Sequence, residues 1–211
     1  MEQFESPILL MWRKKRQELR NVLISISIIS SILLILLALY EEAEEPIRYI
    51  LVLASLVSIF SIIIFFYIME KKSKKVISSL EPEEERLVIS ELESKNTRSY
   101  DKSRLFLTEN YIVALRKTLI IVKYSDIIWL YNENDDFYNL IDSVRKLNVY
   151  TNTHQEFAIF SSTLGYKQEV NLEIFNLILQ KNTNIFKGIT DEILETIDIQ
   201  KSEYKRAFSN K

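Results

Sequence analysis

The chain has 211 residues, with 27 basic and 29 acidic side chains, one histidine, two glycines and no cysteine. The balanced charge argues against a nucleic-acid partner, because domains that bind nucleic acids usually carry a basic excess. Without cysteine there is no disulfide and no thiolate metal site, and two glycines are too few for a glycine-rich phosphate-binding loop. We therefore expect no nucleic acid, no metal and no cofactor.

Two uncharged apolar runs, residues 21–40 and 49–69, stand near the start of the chain. An α-helix rises about 1.5 Å per residue, so each run reaches about 30 Å, the thickness of the hydrocarbon core of a bilayer. Core helices that are apolar on every face at this length are rare. The first run is also too long for a signal peptide, and no cleavage motif follows it. We expect two retained transmembrane helices that serve as an anchor, since neither run carries an ionisable residue.

Basic residues flank the two runs on their outer sides, in the N-terminal segment 1–20 and after the second run. The loop between the runs, residues 41–48, has four glutamates and a single basic residue. Lysine and arginine stay on the cytoplasmic side of a membrane, so the pattern predicts a two-pass protein of the plasma membrane with both termini in the cytoplasm. The basic clusters should also contact anionic lipids, at about 1 kcal/mol for each cation. These cations are Arg13, Lys14, Lys15, Arg16, Lys71, Lys72, Lys74 and Lys75.

A juxtamembrane helical linker is predicted over residues 70–95. The second apolar helix should continue until Pro82, because proline disfavours helical geometry in the residue before it and suits the first position of a new helix. The three glutamates after Pro82 favour the positive end of that helix. The polar stretch NTRSYDKS is expected to be a loop.

The chain then changes to short runs rich in Ile, Val, Tyr and Phe, namely SRLFLT, NYIVALR, TLIIVKY, DIIWLYNEN, KLNVYT and EFAIFS. Their length and the turn residues between them are typical of an antiparallel sheet or a small barrel. The stretch QEVNLEIFNLILQKN has helical spacing, with Val170, Ile174, Leu177 and Ile178 on one face. Gly188 is expected at a turn with positive φ, within a C-terminal helical segment over residues 183–211.

The stretch RLFLTENYIVALRKTLIIVKYSDIIWLY resembles the PH-like and GRAM-like domain families of bacteria. The matching positions are Leu107, Thr108, Tyr111, Tyr124, Asp126, Ile127, Trp129 and Tyr131. With the tail NIFKGITDEILETIDIQKSEYKRAF, the chain is similar to an uncharacterised bacterial family of two-span membrane proteins that carry such a domain. The resemblance implies a PH-like domain over residues 96–182. The expected fold class is a membrane α-helical hairpin plus an α+β cytoplasmic domain, in which a PH-like antiparallel sheet or barrel is followed by C-terminal helices.

The expected function follows from the lack of any recognisable catalytic constellation. We predict a membrane-anchored, non-enzymatic binding or scaffold module that docks a protein partner, or a second copy of itself, at the inner leaflet. Membrane lipids are its other expected partners. The alternative is a membrane-associated enzyme or transport accessory subunit, in which a pair such as Asp135 and Asp136 serves as general acid and base.

A candidate binding surface is predicted from the location of three basic residues around the first hairpin, Arg104, Arg116 and Lys117. A specific lipid headgroup site is disfavoured, because their spacing differs from that of phosphoinositide-binding PH domains.

Four other polar or aromatic features have structural interpretations. Trp129 is expected in the core, on the same face as Ile127 and Tyr131 by the two-residue period of a strand. Asp126 is expected to cap a turn, and His154 to lie exposed at a hairpin tip. The stretch NENDD, residues 132–136, is expected to be a solvated turn, since a calcium loop would need a glycine and a distal glutamate.

Overall fold

The computed structural model describes residues 5–39, 45–102, 104–135, 144–162 and 166–188, together with positions 193, 195–197 and 199. The helices are α1 (Pro7–Ala38), α2 (Glu45–Ser78), α3 (Pro82–Leu92) and α4 (Tyr166–Lys181). The strands are β1 (Arg98–Tyr100), β2 (Leu105–Leu107), β3 (Tyr111–Leu115), β4 (Leu119–Lys123), β5 (Ile127–Asp135), β6 (Val144–Thr151), β7 (Glu156–Ser162) and β8 (Phe186–Lys187). The chain divides into a helical unit, residues 1–89 with 117–119, and a sheet unit, residues 90–116 with 120–211.

The helices α1 and α2 are both long and apolar enough to cross a membrane. Their spans, Pro7–Leu37 and Tyr49–Ser78, have mean hydropathies of 2.2 and 2.7. Only 11% and 6% of their most apolar windows are buried. A core helix of a soluble protein would hide these side chains, so the exposure argues against the core-helix alternative. The two helices are compatible with a two-pass membrane protein.

Serine side chains join α1 to α2. Ser27 Oγ lies 3.2 Å from Ser58 Oγ, and Ser31 Oγ donates to the carbonyl of Ser55 at 3.3 Å. Ser27, Ser31 and Ser55 are each less than 5% exposed. Small polar residues let transmembrane helices approach closely and hydrogen-bond to each other. From the first pair to the second, the residue number rises in α1 (27 to 31) and falls in α2 (58 to 55), so the two helices run antiparallel.

The helices extend beyond the predicted spans. Pro7 stands in the first turn of α1, where its fixed φ suits a helix. The residues that follow have high helix propensity, so most of the predicted basic segment 1–20 is helical. The continuation of α2 to Ser78 confirms that the second helix runs past the apolar stretch. At its other end α2 begins at Glu45, which shortens the predicted loop 41–48, and residues 40–44 lie outside the described part of the chain.

The helix α3 begins at Pro82 as predicted, and it ends at Leu92 rather than near Lys95. The carbonyl of Glu91 accepts hydrogen bonds from the Thr97 hydroxyl and from the Ser94 N–H, the latter at 3.1 Å. These contacts satisfy a carbonyl that would otherwise lack a partner at the end of the helix, so the chain turns there.

The first sheet has the strand order β1-β2-β3-β4. The hairpin predicted around Glu109 and Asn110 is confirmed, with Leu105 opposite Ala114 in antiparallel register. The strand β1 replaces part of the predicted loop NTRSYDKS, since Arg98 pairs with Leu107 and Tyr100 with Leu105. This edge strand is mostly exposed and has no apolar alternation, so the sequence pattern did not reveal it.

The second sheet has the order β7-β6-β5-β8. The strand β5 continues to Asp135, so the expected solvated turn at residues 132–136 is wrong for its first four residues, and Asp136 lies outside the described part. The strand β8 was not predicted. It pairs in parallel with β5, placing Phe186 opposite Trp129. A parallel pairing between distant segments leaves no local signature.

These sheets confirm the α+β class and the antiparallel arrangement of the predicted strands β2–β7, while the barrel alternative is wrong. In the described part of the chain both sheets are open, because neither strand order returns to its first strand.

A β-bulge in β5 overturns the predicted face of Trp129. Ile127 pairs with Thr151 and Trp129 pairs with Tyr150. The chain therefore advances two residues along β5 but only one along β6, which leaves Ile128 as the extra residue. The extra residue breaks the two-residue period. As a result Ile127 lies in the main core, whereas Trp129 lies in a separate aromatic cluster. Trp129 is buried as expected, at 4% exposed.

The helix α4 covers the main core with the predicted face. Ile174 and Ile178 are fully buried, and Val170 and Leu177 pack beside them. Burial of an isoleucine side chain contributes about 1.5–3 kcal/mol, so these contacts account for much of the attachment of α4. Gly188 has a φ of +79°, as the predicted turn requires. Residues 183–188, the start of the predicted C-terminal helix, form a turn and β8 instead, because Phe186 and Lys187 pair with β5. Positions 193, 195–197 and 199 are helical, and the other residues of that segment lie outside the described part of the chain.

Candidate functional site: a polar groove in the sheet unit

A groove lies in the sheet unit where the β2–β3 turn, the β4–β5 connection and the end of α4 meet. It consists of cavities of about 580 and 210 Å³ that share Glu109, Tyr124 and Lys181. The larger cavity is also lined by Asn110, Lys123, Ser125, Ile127, Ile128, Asn182 and Asn184. The smaller one is also lined by Asn96, Arg98, Leu107, Thr108 and Leu177. We call these residues together the polar groove.

One wall of the polar groove is held by the buried carboxylate of Glu91. Its Oε2 accepts hydrogen bonds from Thr108 Oγ1 at 2.6 Å and from the Asn110 N–H at 3.0 Å. Its Oε1 accepts a third from Asn110 Nδ2 at 2.5 Å. Glu91 is 7% exposed. Hydrogen bonds to an ionised acceptor are the strong ones, so this network fixes the turn between β2 and β3.

The pKa of Glu91 lies below its ordinary value. Burial by itself raises this pKa, but the hydrogen bonds from Thr108 and Asn110 stabilise the ionised form and outweigh the burial. The carboxylate is therefore charged at neutral pH, with its donors already supplied by the hairpin. Its role is to hold the wall rather than to exchange protons with a ligand.

The opposite wall is held by Asn182, just after α4. Its Nδ2 donates to the carbonyl of Tyr124 at 2.7 Å and to that of Ile127 at 3.1 Å, and its Oδ1 accepts from the Asn184 N–H at 3.0 Å. The two walls are joined directly, because the Tyr124 N–H donates to the carbonyl of Asn110 at 3.0 Å. The polar groove is thus organised by hydrogen bonds within the chain itself, an arrangement that lowers the entropy cost of binding.

The polar groove carries charges of both signs. Arg98, Lys123 and Lys181 face a single acid, Glu109, among its lining residues. Arg98 Nη1 also lies 3.3 Å from Glu173 Oε1, with 59% of the Arg98 side chain exposed. Lys123 Nζ lies 5.7 Å from the ring centroid of Tyr111. The lining therefore offers the exposed Arg98 and Lys181 and the half-buried Lys123, together with amides and hydroxyls, which suit a polar segment.

Two residues of the predicted surface of Arg104, Arg116 and Lys117 lie in the sheet unit, Arg104 and Arg116. Arg116 Nε donates to the carbonyl of Ile159 at 3.1 Å, and its Nη1 pairs with Asp101 Oδ2 at 3.3 Å. Burial lowers the pKa of Arg116, and the nearby Asp101 carboxylate opposes this shift.

Arg104 is exposed, and its backbone carbonyl accepts a hydrogen bond from the Leu115 N–H at 2.7 Å. Lys117 belongs to the helical unit. Arg116 is therefore engaged in structural contacts, and the candidate binding surface stays a prediction.

Some of the basic residues predicted to contact lipids form ion pairs within the helical unit, and others are exposed there. Arg13 Nη1 lies 2.6 Å from Glu5 Oε1, and Arg13 also pairs with Glu70 across the two helices. Lys74 Nζ lies 3.1 Å from the same Glu70 carboxylate. Lys14, Lys71, Lys72 and Lys75 are exposed, and Lys15 and Arg16 are half-buried. Because α1 and α2 run antiparallel, all these residues lie at the same end of the hairpin.

The aromatic cluster on the other face of β5 contains Trp129, Tyr131 and Tyr150. The rings of Trp129 and Tyr131 stack with centroids 3.9 Å apart, and Trp129 Nε1 donates to the carbonyl of Gly188 at 2.6 Å. The Tyr131 hydroxyl donates a hydrogen bond to the Glu156 carboxylate. The pKa of Tyr131 is raised, mainly by burial and to a lesser extent by this carboxylate. The indole is therefore held by packing and a hydrogen bond rather than presented to a ligand.

Asp126 and His154 lie near turns of the sheet unit. Asp126 Oδ1 accepts from Ser125 Oγ at 3.3 Å, in line with the predicted turn. His154 is half-buried rather than exposed, because its ring packs against the ring of Tyr150, whose hydroxyl lies 2.8 Å from Nδ1. Among the described residues no group of three His, Asp or Glu side chains is placed to hold a metal ion.

Sequence reasoning did not find the polar groove. Glu91 was predicted only as a residue of a linker helix, and Asn182 only as the end of α4. The sequence did contain one indication that Glu91 is buried. Glu91 follows the buried Val88 by three residues, so both lie on the same face of α3.

Comparison with known proteins gives no assignment: no family model, curated protein or solved structure matches this chain. The fold and the site therefore define it as a candidate two-pass membrane protein with an α+β unit that carries a polar groove.

Proposed function

We propose that the protein is a membrane-anchored, non-enzymatic binding module that docks a protein partner in the polar groove. The observation that carries this proposal is the construction of the groove, in which hydrogen bonds of Glu91 and Asn182 hold the walls. A pre-formed polar concavity with several exposed side chains suits a peptide segment better than an apolar small molecule.

The proposal includes the PH-like relationship of the sheet unit. The strands β1–β4 form one meander, β5–β7 form a second, and α4 packs on the core that they enclose. This order supports the resemblance carried by Thr108, Tyr124 and Trp129. Such domains are commonly binding modules, but the proposal for this chain rests on the polar groove.

The proposal also places the basic end of the α1–α2 hairpin at the inner leaflet. The exposed cations Lys14, Lys71, Lys72 and Lys75 would then contact anionic headgroups, at about 1 kcal/mol each. Arg13 and Lys74 would contribute less, because Glu70 already neutralises them in part.

The test is photo-crosslinking of the full chain in native membranes. A photoreactive amino acid replaces Ser125, an exposed residue of the polar groove, or Thr153, an exposed turn residue outside it. We expect a discrete protein adduct from position 125 and none from position 153. The adduct should disappear when Lys123→Glu and Lys181→Glu are added. Equal adducts at both positions, or an adduct that survives the charge reversal, would count against docking in the groove.

A further inference from the structure

We infer that α4 is a movable element of the polar groove, which detaches locally from the strands because the buried amide of Asn171 weakens its attachment. This inference rests on the proposed function, since it concerns the regulation of the same groove. Leu177 and Lys181, the groove residues that α4 carries, move with the helix. The parts of the groove that Glu91 and Asn182 hold stay in place.

Asn171 places an amide on the core face of α4. The residue is 3% exposed. It precedes the fully buried Ile174 and Ile178 by three and seven residues, so the three side chains share one face of the helix. Neither Oδ1 nor Nδ2 of Asn171 has a hydrogen-bond partner among the described residues. A buried amide without partners loses hydrogen bonds to water and regains none on folding, so this side chain opposes the attachment of α4.

The polar contacts between α4 and β1 lie at the surface of the sheet unit. Glu173 Oε1 accepts a hydrogen bond from the Tyr100 hydroxyl at 2.7 Å and lies 3.3 Å from Arg98 Nη1. About half of each side chain in this ion pair is exposed, with 59% for Arg98 and 48% for Glu173. Exposed ion pairs contribute little to stability. The attachment of α4 therefore depends mainly on its apolar face, which is the face that Asn171 interrupts.

The chain that follows α4 is anchored independently of the helix. Asn182 Nδ2 donates to the carbonyls of Tyr124 and Ile127. Ile185 is 7% exposed in the main core, and β8 pairs with β5. Before α4, the strand β7 is held by its antiparallel pairing with β6. Segments that are held separately on both sides delimit a unit that opens at a lower free energy than global unfolding.

Detachment of α4 takes apart the smaller cavity of the polar groove. Leu107 and Tyr124 line this cavity from β2 and from the β4–β5 connection, and Leu177 and Lys181 line it from α4. The hydrogen bonds of Glu91 to the β2–β3 turn do not involve α4. The groove is therefore complete only while α4 is docked, and the amide on the core face of α4 influences how much of the time that is.

The experiment is hydrogen–deuterium exchange of the full chain in lipid nanodiscs, followed by mass spectrometry for peptides from α4 and from β3–β4. In the wild type we expect α4 to exchange faster than β3–β4, because its local opening costs less than global unfolding. Asn171→Leu keeps the branch point of the side chain and replaces both polar atoms with methyl groups. Asn176→Leu is the matched control, because it makes the same change at an exposed position of the same helix.

The comparison of the two variants isolates the effect of the buried amide. Leucine has a higher helix propensity than asparagine, which by itself should slow the exchange of α4 about twofold in both variants. Removal of the buried amide should slow the exchange at least about tenfold more in Asn171→Leu. If the larger leucine prevents folding, Asn171→Ala against Asn176→Ala repeats the comparison with a smaller side chain.

The outcomes separate this inference from the proposed function. Slower exchange of α4 in Asn171→Leu than in Asn176→Leu supports the movable helix. Equal exchange in the two variants would overturn it, because the amide is then satisfied in the folded chain. Exchange of α4 no faster than that of β3–β4 in the wild type would also overturn it. Loss of the groove-dependent adduct at position 125, with the effect of Asn171→Leu intact, would reject the docking of a protein partner and leave the movable helix standing.

Discussion

Replacement of Glu91 by glutamine tests whether a buried carboxylate holds the wall of the polar groove. The substitution keeps the shape of the side chain but replaces one carboxylate oxygen with an NH2 group. The carboxylate accepts three hydrogen bonds, from Thr108 Oγ1, the Asn110 N–H and Asn110 Nδ2. A hydrogen bond to a charged group is worth about 1.5–3 kcal/mol. Glutamine removes the charge and sets one donor against another, so we expect a loss of about 2–4 kcal/mol in the free energy of unfolding.

The assay is urea unfolding of the full chain in detergent, followed by the emission of Trp129. The chain has two tryptophans, so Trp12→Phe leaves Trp129 as the single reporter. Glu93→Gln is the matched control, because it makes the same chemical change at an exposed residue two positions along. If the Glu91 and Glu93 variants unfold at the same urea concentration, the carboxylate does not stabilise the hairpin and the account of the groove fails.

The pH dependence of stability gives an independent check. The pKa of Glu91 is lower in the folded chain than its ordinary value of 4.5, so the unfolded chain binds more protons as the pH falls. The stabilisation is therefore complete above about pH 5 and is lost progressively as the pH falls below 4.5 through the folded pKa. The Glu91→Gln variant should lack this component. An identical acid dependence in the variant and the wild type would contradict the assignment.

Three further predictions address the aromatic cluster, the arginine and the topology. Trp129→Ala should lower the free energy of unfolding by about 3–5 kcal/mol, because it removes a large buried ring; an unchanged unfolding curve by circular dichroism would show that the ring is not packed. Arg116→Met should cost about 1–3 kcal/mol by the loss of charged hydrogen bonds, whereas Arg104→Met, at an exposed position, should change the urea midpoint little; equal effects would contradict the structural role of Arg116. A cysteine at Ala43 should be labelled from outside intact cells and one at Ser94 should not, and the reverse pattern would invert the topology.

The sequence by itself determined the features that depend on local pattern. Two long apolar runs are recognisable without any contact, because a bilayer requires about 20 apolar residues for each helix. The strands β2–β7 and the apolar face of α4 were also predictable, since a two-residue or 3.6-residue period records which side of an element is buried. The positive φ at Gly188 likewise followed from residue type.

Only the tertiary structure decided which side chains meet. The bulge after Ile127 shifts the two-residue period of β5, and no residue type in that run indicates a bulge. Trp129 therefore lies on the opposite face from the one predicted. The strand β8 forms because Phe186 and Lys187 pair with the edge of β5. The open sheets likewise result from pairings between segments that are distant in the chain. The polar groove depends on Glu91, Asn110 and Asn182, which are far apart in the chain. Hydrogen bonds between such residues form only after the apolar core has placed their backbones, so a local pattern cannot encode them.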